Sequence, residues 1–192
     1  MTLTEFLAAA QFTLRQPKKA ARGLIAMNLP MSVRWLALSL VAVLSTLFLL
    51  ADIKLSPFSD DPMMLRMLDS PLMLAAMQFL VLVGSAYLIA RIGAFFQGVG
   101  SFDDALMLIV WMQAVLCLVQ LFQMLAMLTF APLADLVGFV GLFATGWLIT
   151  NFVAELHGFK SLILVFVGIL LGAFAAMVAL SIVLAVLIGV GG

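Results

Sequence analysis

The stretch from Ala105 to Ala134 reads ALMLIVWMQAVLCLVQLFQMLAMLTFAPLA and contains no charged side chain. About 20 mostly apolar residues are enough for a helix to cross a hydrocarbon core roughly 30 Å thick. Backbone amides in lipid must be satisfied within the protein, and the stretch lacks the strict alternation of barrel strands. The sequence therefore predicts a membrane-spanning helix here.

Four further charge-free runs flank this stretch, between Arg34 and Asp52, Asp69 and Arg91, Asp135 and Glu155, and from Lys160 to the C-terminus. Hydrophobic residues make up 66% of the chain and charged residues 9%, and the mean hydropathy is +1.31. A soluble domain cannot bury that much apolar surface. We predict an all-α integral membrane bundle, a single domain over residues 31–192, with spans at about 32–52, 71–92, 104–130, 133–154 and 161–188. The first run is the shortest, and we expect Trp35 to lie at one interface and Arg34 to snorkel.

The distribution of Lys and Arg predicts the orientation of these spans. Five spans place the termini on opposite sides, and most basic residues fall on the side of the N-terminus: Arg15, Lys18, Lys19, Arg22, Arg34, Arg91 and Lys160, against Lys54 and Arg66. The excess of basic residues predicts a cytoplasmic N-terminus and a periplasmic C-terminus. The formal net charge is zero, and we expect no nucleic-acid partner.

Residues 1–30 form a lead-in to the first span. Apolar residues recur at helical spacing before Pro17, and a basic segment follows, at Lys18, Lys19 and Arg22. This pattern is typical of an amphipathic helix at the cytoplasmic interface. The lead-in either anchors the first span or serves as a docking platform for a cytoplasmic partner.

The connection between the second and third spans carries Gly98, Gly100, Ser101 and Phe102. Glycines before a helix can cradle phosphate. However, the spacing of Ser101 and Asp104 predicts a capping box that already uses the free amides, and the acidic pair 103–104 repels a phosphate. We expect these glycines to let the chain leave one span and enter the next.

The connection after the fourth span contains Glu155, His157 and Gly158. Gly158 can adopt the left-handed conformation that ends a helix. A lone histidine is too little for a metal or haem site, so we expect no metal and no cofactor. Glu155 and His157 could form a proton relay, although capping and interface anchoring explain them as well.

Two sets of residues inside the spans invite a functional interpretation. Gln113 and Gln120 share one face of the third span, with Gln123 at its margin, and this face either lines a path for a small solute or bonds neighbouring helices. Gly168, Gly172 and Ala176 form a small-residue ridge on the fifth span. Such a ridge serves close packing within one bundle or the formation of a homo-oligomer.

Three short motifs resemble the bacterial branch of the Yip-one domain family. They are Leu14-Arg-Gln-Pro17 in the lead-in, Phe96-Gln-Gly98-Val-Gly100-Ser-Phe102 after span two, and Glu155-Leu-His157-Gly158-Phe159 after span four. Family members often carry two adjacent glycines after the phenylalanine, and Gln97 replaces the first here. The resemblance implies a five-span bundle in the bacterial inner membrane with a cytoplasmic N-terminus. Eukaryotic relatives associate with lipid-modified Rab-type GTPases and with one another.

These observations favour a non-enzymatic membrane protein that binds a partner or assists assembly. Its working face is the lead-in together with the two glycine-containing loops. Beyond the lipid bilayer, the expected partner is a membrane or cytoplasmic protein, or a second copy of the chain. A small-solute channel that uses the glutamine face is one alternative. An intramembrane enzyme acting on lipid, with Glu155 and His157 as acid and base, is the other.

Overall fold

The computed structural model describes residues 2–55, 65–66 and 68–189, and within these ranges the chain forms helices and no strands. The first two helices precede the membrane domain, and five long helices make it up. In chain order they are α1 Leu3–Arg15, α2 Pro17–Ala26, α3 Met31–Leu55, α4 Pro71–Phe95, α5 Phe102–Thr129, α6 Ala131–His157 and α7 Leu162–Gly189.

Each of the five long helices is apolar and long enough to cross a membrane, with a mean hydropathy of 1.8 to 2.8 over its most apolar part. Their bounds lie within three residues of the predicted spans. At about 1.5 Å per residue, the 28 residues of α5 are longer than a hydrocarbon core of roughly 30 Å. The protein is therefore an integral membrane protein whose helices extend beyond the apolar layer.

Helix α5 is the centre of the bundle, and α7 lies at its edge. In the most apolar 18-residue stretch of α5, 56% of the residues are buried inside the protein. In the corresponding stretch of the described part of α7, only 6% are buried. Helices α3, α4 and α6 pack around α5, and Leu38, Leu106 and Leu148 are fully buried between them. Side chains on α5 are therefore the ones most constrained by protein neighbours.

The starts of α3 and α5 and the ends of α4 and α6 meet at one end of the bundle. Arg34 contacts Asp104 there, and His157 contacts both Ile89 and Gly100. We call this the histidine end, and the other end of α3–α6 the opposite end. Successive helices of this set therefore run in alternating directions, as consecutive membrane spans predict.

Helix α7 crosses its neighbours obliquely. Val165 packs with Val153 near the end of α6. Gly172 lies seven residues further along α7. A Cβ atom placed on it would be 3.0 Å from the Cδ1 atom of Ile92, near the end of α4. Seven residues of helix span about 10 Å, the usual separation of two packed helices. The path of α7 therefore leads from α6 across to α4.

The lead-in folds into two helices that are docked on the bundle. The indole N–H of Trp111 in α5 donates to the Thr13 hydroxyl at 2.9 Å, and the ring of Phe6 meets Trp111 edge to face. Trp147 in α6 donates to the Leu14 carbonyl at 3.4 Å. Trp111 lies about 14 Å beyond the first residue of α5. The amphipathic helix predicted for the membrane interface thus also has a protein-facing side.

Candidate interaction site at the histidine end

Helix α4 ends in a Schellman motif. The Gly98 amide donates to the Gly93 carbonyl at 2.9 Å, and the Gln97 amide donates to the Ala94 carbonyl at 3.0 Å. Gln97 occupies the left-handed position of the motif, with φ of 62°. Glycine is the usual residue at such a position because a Cβ atom is crowded there. The chain therefore keeps the turn without the residue that fits it best.

Helix α6 ends in the same way beside it. The Phe159 amide donates to the Ala154 carbonyl at 2.8 Å, and the Gly158 amide donates to the Glu155 carbonyl at 3.4 Å. Gly158 has φ of 73°, the left-handed conformation that the sequence predicts for it. Two helices thus turn back at the same end, and the last residue of α6 before that turn is His157.

The imidazole of His157 joins three elements. Its side chain is 4% exposed. The Gly100 amide donates to Nδ1 at 3.2 Å, and Nε2 lies 3.1 Å from the Ile89 carbonyl. An amide can only donate and a carbonyl can only accept, so Nδ1 is bare and Nε2 carries the proton. The neutral imidazole therefore ties the end of α6 to α4 and to the loop before α5.

Three glycines surround this ring. A Cβ atom on Gly98 would lie 2.5 Å from Nδ1, one on Gly100 would lie 2.8 Å from Cε1, and one on Gly93 would overlap the ring. The ring of Phe159 also stacks on the imidazole at 5.4 Å between centroids. We call Gly93, Gly98, Gly100 and His157 the glycine–histidine joint. Gly98 and Gly100 do more than turn the chain, because they make room for a buried side chain.

The start of α5 is fixed by a second set of polar contacts. The Ser101 hydroxyl accepts from the Asp104 amide at 3.1 Å and donates to Oδ2 of Asp104 at 2.7 Å. The other carboxylate oxygen of Asp104 lies 3.3 Å from Nη1 of Arg34, and Nε of Arg34 donates to the Leu29 carbonyl at 2.8 Å. Ser101 therefore caps the helix as predicted. The other half of the predicted capping box differs, because the Asp104 carboxylate bonds to the Ser101 hydroxyl and to Arg34 and not to the Ser101 amide.

The snorkelling expected of Arg34 is wrong. The Arg34 side chain is only 4% exposed and lies inside the protein, where Asp104 compensates its charge. Burying the guanidinium is tolerable because a carboxylate and a carbonyl both accept from it. Phe102, beside this pair, packs against Trp35 with ring centroids 6.3 Å apart, so Trp35 also has protein contacts.

Glu155 and His157 have separate partners. Both Nε and Nη2 of Arg22 in α2 lie 2.8 Å from Oε1 of Glu155, whereas His157 bonds to α4 and to the loop before α5. The Glu155 contact holds the lead-in to α6. The two residues thus form two structural links, and the structure does not bring them together as an acid–base pair.

An exposed apolar surface surrounds the joint. Phe95, Phe96 and Val99 are 81%, 61% and 85% exposed, and the two phenylalanine rings meet edge to face. We call these three residues the apolar patch. They alternate along the chain with the residues of the joint, so the glycines face the histidine while the large side chains point away from the protein.

The glutamines of α5 lie further along the helix. Gln113 is buried, and Oε1 of Gln120 has no hydrogen-bond partner within the described part of the chain. The amide of Gln123 lies close to Gly138 of α6, where a Cβ atom would be 3.1 Å from Nε2. A void of about 10 Å³ beside α5 is lined only by apolar residues. None of the three glutamines lines it.

The small-residue ridge of α7 has two different environments. Gly172 contacts Ile92 of α4, whereas no heavy atom lies within 4 Å of a Cβ atom placed on Gly168. Ala176 is partly exposed.

Among the residues that the structure describes, no three His, Cys, Asp or Glu side chains are grouped as metal ligands would be.

Sequence reasoning missed the first glycine of the joint and the partners of the charged residues. Gly93 lies inside a regular helix, where nothing marks it as a contact. Arg34 and Asp104 are 70 positions apart, and Arg22 and Glu155 are 133 apart. The available signals were the basic residues of the lead-in and the acidic residues near the helix ends. Many different ion pairs between these residues agree equally well with the sequence.

The fold and this site define a polytopic α-helical membrane protein with a docked N-terminal lead-in. The sequence profile of the Yip1 domain matches residues 12–189, and the chain belongs to the Yip1 domain family. The match covers the end of α1, all of α2 and all five long helices. No curated protein and no solved structure is significantly similar to the chain.

Proposed function

We propose that this protein is a non-enzymatic factor of the bacterial inner membrane that binds another protein at its histidine end, with that end in the cytoplasm. The observation that carries the proposal is the apolar patch, which lies at the end of α4 and on the following loop, where the glycine–histidine joint holds the backbone. Phe95, Phe96 and Val99 are exposed next to a backbone that His157 fixes from the inside.

The rigidity of the loop favours binding. A partner that docks on a preformed surface loses less conformational entropy than one that must order a loop, and aromatic side chains are common anchors at interfaces. The exposed Arg22 and Lys19 of α2 are on the same end of the molecule. The charge of Arg22 is compensated by Glu155, so the positive charge that speeds association with an acidic partner surface is that of Lys19.

The charge distribution supports a cytoplasmic histidine end. Of the nine Lys and Arg residues, Arg22 and Arg34 form ion pairs at this end, and Arg91 and Lys160 lie near the ends of α4 and α6. Basic residues in short loops are retained on the cytoplasmic side. The same surface is then accessible to cytoplasmic proteins and to cytoplasmic parts of membrane proteins.

The contacts of Glu155 and His157 support a non-enzymatic role. A general acid or base must reach a substrate proton, but the His157 ring nitrogens are occupied by Gly100 and Ile89. The Glu155 carboxylate is paired with Arg22. Both groups therefore stabilise the site that presents the patch.

Site-specific photo-cross-linking in native membranes tests this function. A photoreactive phenylalanine analogue replaces Phe95 in one sample and Phe143 in a matched control, because both phenylalanines are exposed and Phe143 lies within α6. We expect a discrete protein adduct from position 95 and only lipid adducts from position 143. An adduct of twice the chain mass identifies a second copy as the partner.

A second variant links the adduct to the joint. His157→Ala removes the side chain that holds the loop, and we expect the position-95 adduct to weaken while the control sample is unchanged. Lipid adducts alone at both positions, with no protein adduct, would contradict the proposal.

A further inference from the structure

A cleft opens between α7 and the helices that it crosses. It has a volume of about 700 Å³ and is bounded by α4, α6 and α7. This size lies within the roughly 300–1,000 Å³ of typical ligand sites. Its walls are mostly branched apolar side chains, among them Ile89, Ile92, Ile149, Val153, Val165 and Leu171. An apolar cleft of this kind, in an integral membrane protein, faces acyl chains.

The oblique path of α7 creates the cleft. Near its start, Val165 packs against α6, and further along Gly172 meets Ile92 of α4. Gly168 lies between these two contacts, and no heavy atom is within 4 Å of the position of its Cβ. The glycine thus leaves space in the wall of the cleft, between two points where α7 touches the bundle.

The mouth of the cleft has a different chemistry. Lys160 is the one charged residue among its lining residues, and Ser161 lies beside it at the start of α7. Lys160 is exposed, and within the described ranges no carboxylate forms an ion pair with it. A lysine at the membrane surface attracts an anionic headgroup.

We propose that this cleft binds an anionic phospholipid, with one acyl chain along α4 and α7 and the headgroup phosphate at Lys160. The apolar walls match the chain, and the ammonium group and the Ser161 hydroxyl match the phosphate oxygens. The site shares Ile89 and Gly93 with the wall that carries the glycine–histidine joint. Phe96 of the apolar patch lines the cleft as well, but the lipid proposal rests on the cleft and Lys160 and does not depend on the protein partner proposed above.

Photoactivatable phospholipids test the site in vesicles that contain the full-length protein. One probe is phosphatidylglycerol and the other is phosphatidylcholine, each with a diazirine in the acyl chain, and labelled residues are located by mass spectrometry. We expect phosphatidylglycerol to label the cleft residues of α4 and α7 above the other lipid-facing surfaces. Lys160→Gln should lower that labelling about fivefold, the effect of one basic residue at a membrane surface, and leave phosphatidylcholine labelling unchanged.

A matched pair of glycine variants tests the cleft itself. Gly168→Leu fills the space, and we expect cleft labelling to fall to background. Gly84→Leu is the control, since a Cβ at Gly84 also meets nothing within 4 Å but Gly84 does not line the cleft. Lys19→Gln is the control for charge. Equal labelling by both lipids on all sides of the bundle overturns the proposal. Cleft labelling that survives both Gly168→Leu and Lys160→Gln overturns it as well.

Discussion

The two ends of the bundle are held together in different ways. At the histidine end, side chains bond across elements: Arg34 to Asp104, Arg22 to Glu155, and His157 to the Gly100 amide. Toward the opposite end, the hydrogen bonds of the described hydroxyl groups return to their own helix, at Ser45, Thr46, Thr129 and Thr145. There the helices meet through packing, as where Val119 faces Gly141.

The difference shows where the structure specifies its neighbours. Apolar packing in lipid brings helices together without fixing a unique partner for each side chain. A buried charge or a bonded imidazole tolerates few alternatives, because an unsatisfied polar group is costly. We therefore expect substitutions to have large effects at the histidine end and small effects at the opposite end.

The largest expected effect follows from leaving Arg34 without its carboxylate. Asp104→Asn removes the charge that compensates a nearly fully buried guanidinium, and we expect a loss of about 3 kcal/mol in the free energy of unfolding. Asp103→Asn is the matched control in the same helix turn. Detergent–SDS titration measures both, and equal small losses would show that the Arg34 pair does not stabilise this end.

A smaller loss is expected from crowding the joint. Gly93→Ala places a methyl group into the ring of His157, at a cost of about 1–3 kcal/mol. Gly84→Ala, in the same helix with open space around it, should be neutral or slightly stabilising. In the double variant with His157→Ala, the cost of Gly93→Ala should largely disappear. An unchanged cost in that background argues against contact between the two residues.

A gain in stability is expected at the turn after α4. Gln97 has a left-handed backbone, so Gln97→Gly relieves crowding and should raise the free energy of unfolding by about 1 kcal/mol. Gln16→Gly is the control, since Gln16 also caps a helix but has φ of −136°. Thermal unfolding in detergent distinguishes them. A destabilised Gln97→Gly protein would mean that the glutamine side chain has a role of its own.

The smallest effect is expected away from the histidine end. Within the described residues, Oε1 of Gln120 has no hydrogen-bond partner, so Gln120→Leu exchanges a polar group for an apolar one of similar size. We expect a change within about 0.5 kcal/mol by the same titration. A loss as large as that of Asp104→Asn would remove the contrast between the two ends.

Local features of the fold follow directly from the sequence. The charge-free runs predict the five long helices, Ser101 predicts a helix cap, and Gly158 predicts a left-handed turn, because each depends on neighbours along the chain. The joint depends on residues far apart. Gly100 and His157 are 57 positions apart, and no periodicity reports that a glycine makes room for a distant ring.

The lead-in illustrates the same limit. Its apolar stripe and basic residues predict an interfacial helix, but a stripe does not distinguish lipid from protein. Thr13, a polar residue that the stripe does not include, is buried against Trp111 at 98 positions' separation. The docked face of α1 therefore includes a hydrogen bond between two side chains that sequence patterns treat as unrelated, beside the contact of Phe6 with Trp111.

Solid-state nitrogen NMR of the labelled protein in lipid bilayers tests the glycine–histidine joint most directly. The account predicts a neutral His157 ring with the proton on Nε2, and a correlation between the bare Nδ1 and the Gly100 amide across their hydrogen bond. A proton on Nδ1, or a Gly100 amide that exchanges freely with water and shows no correlation to the ring, would contradict it.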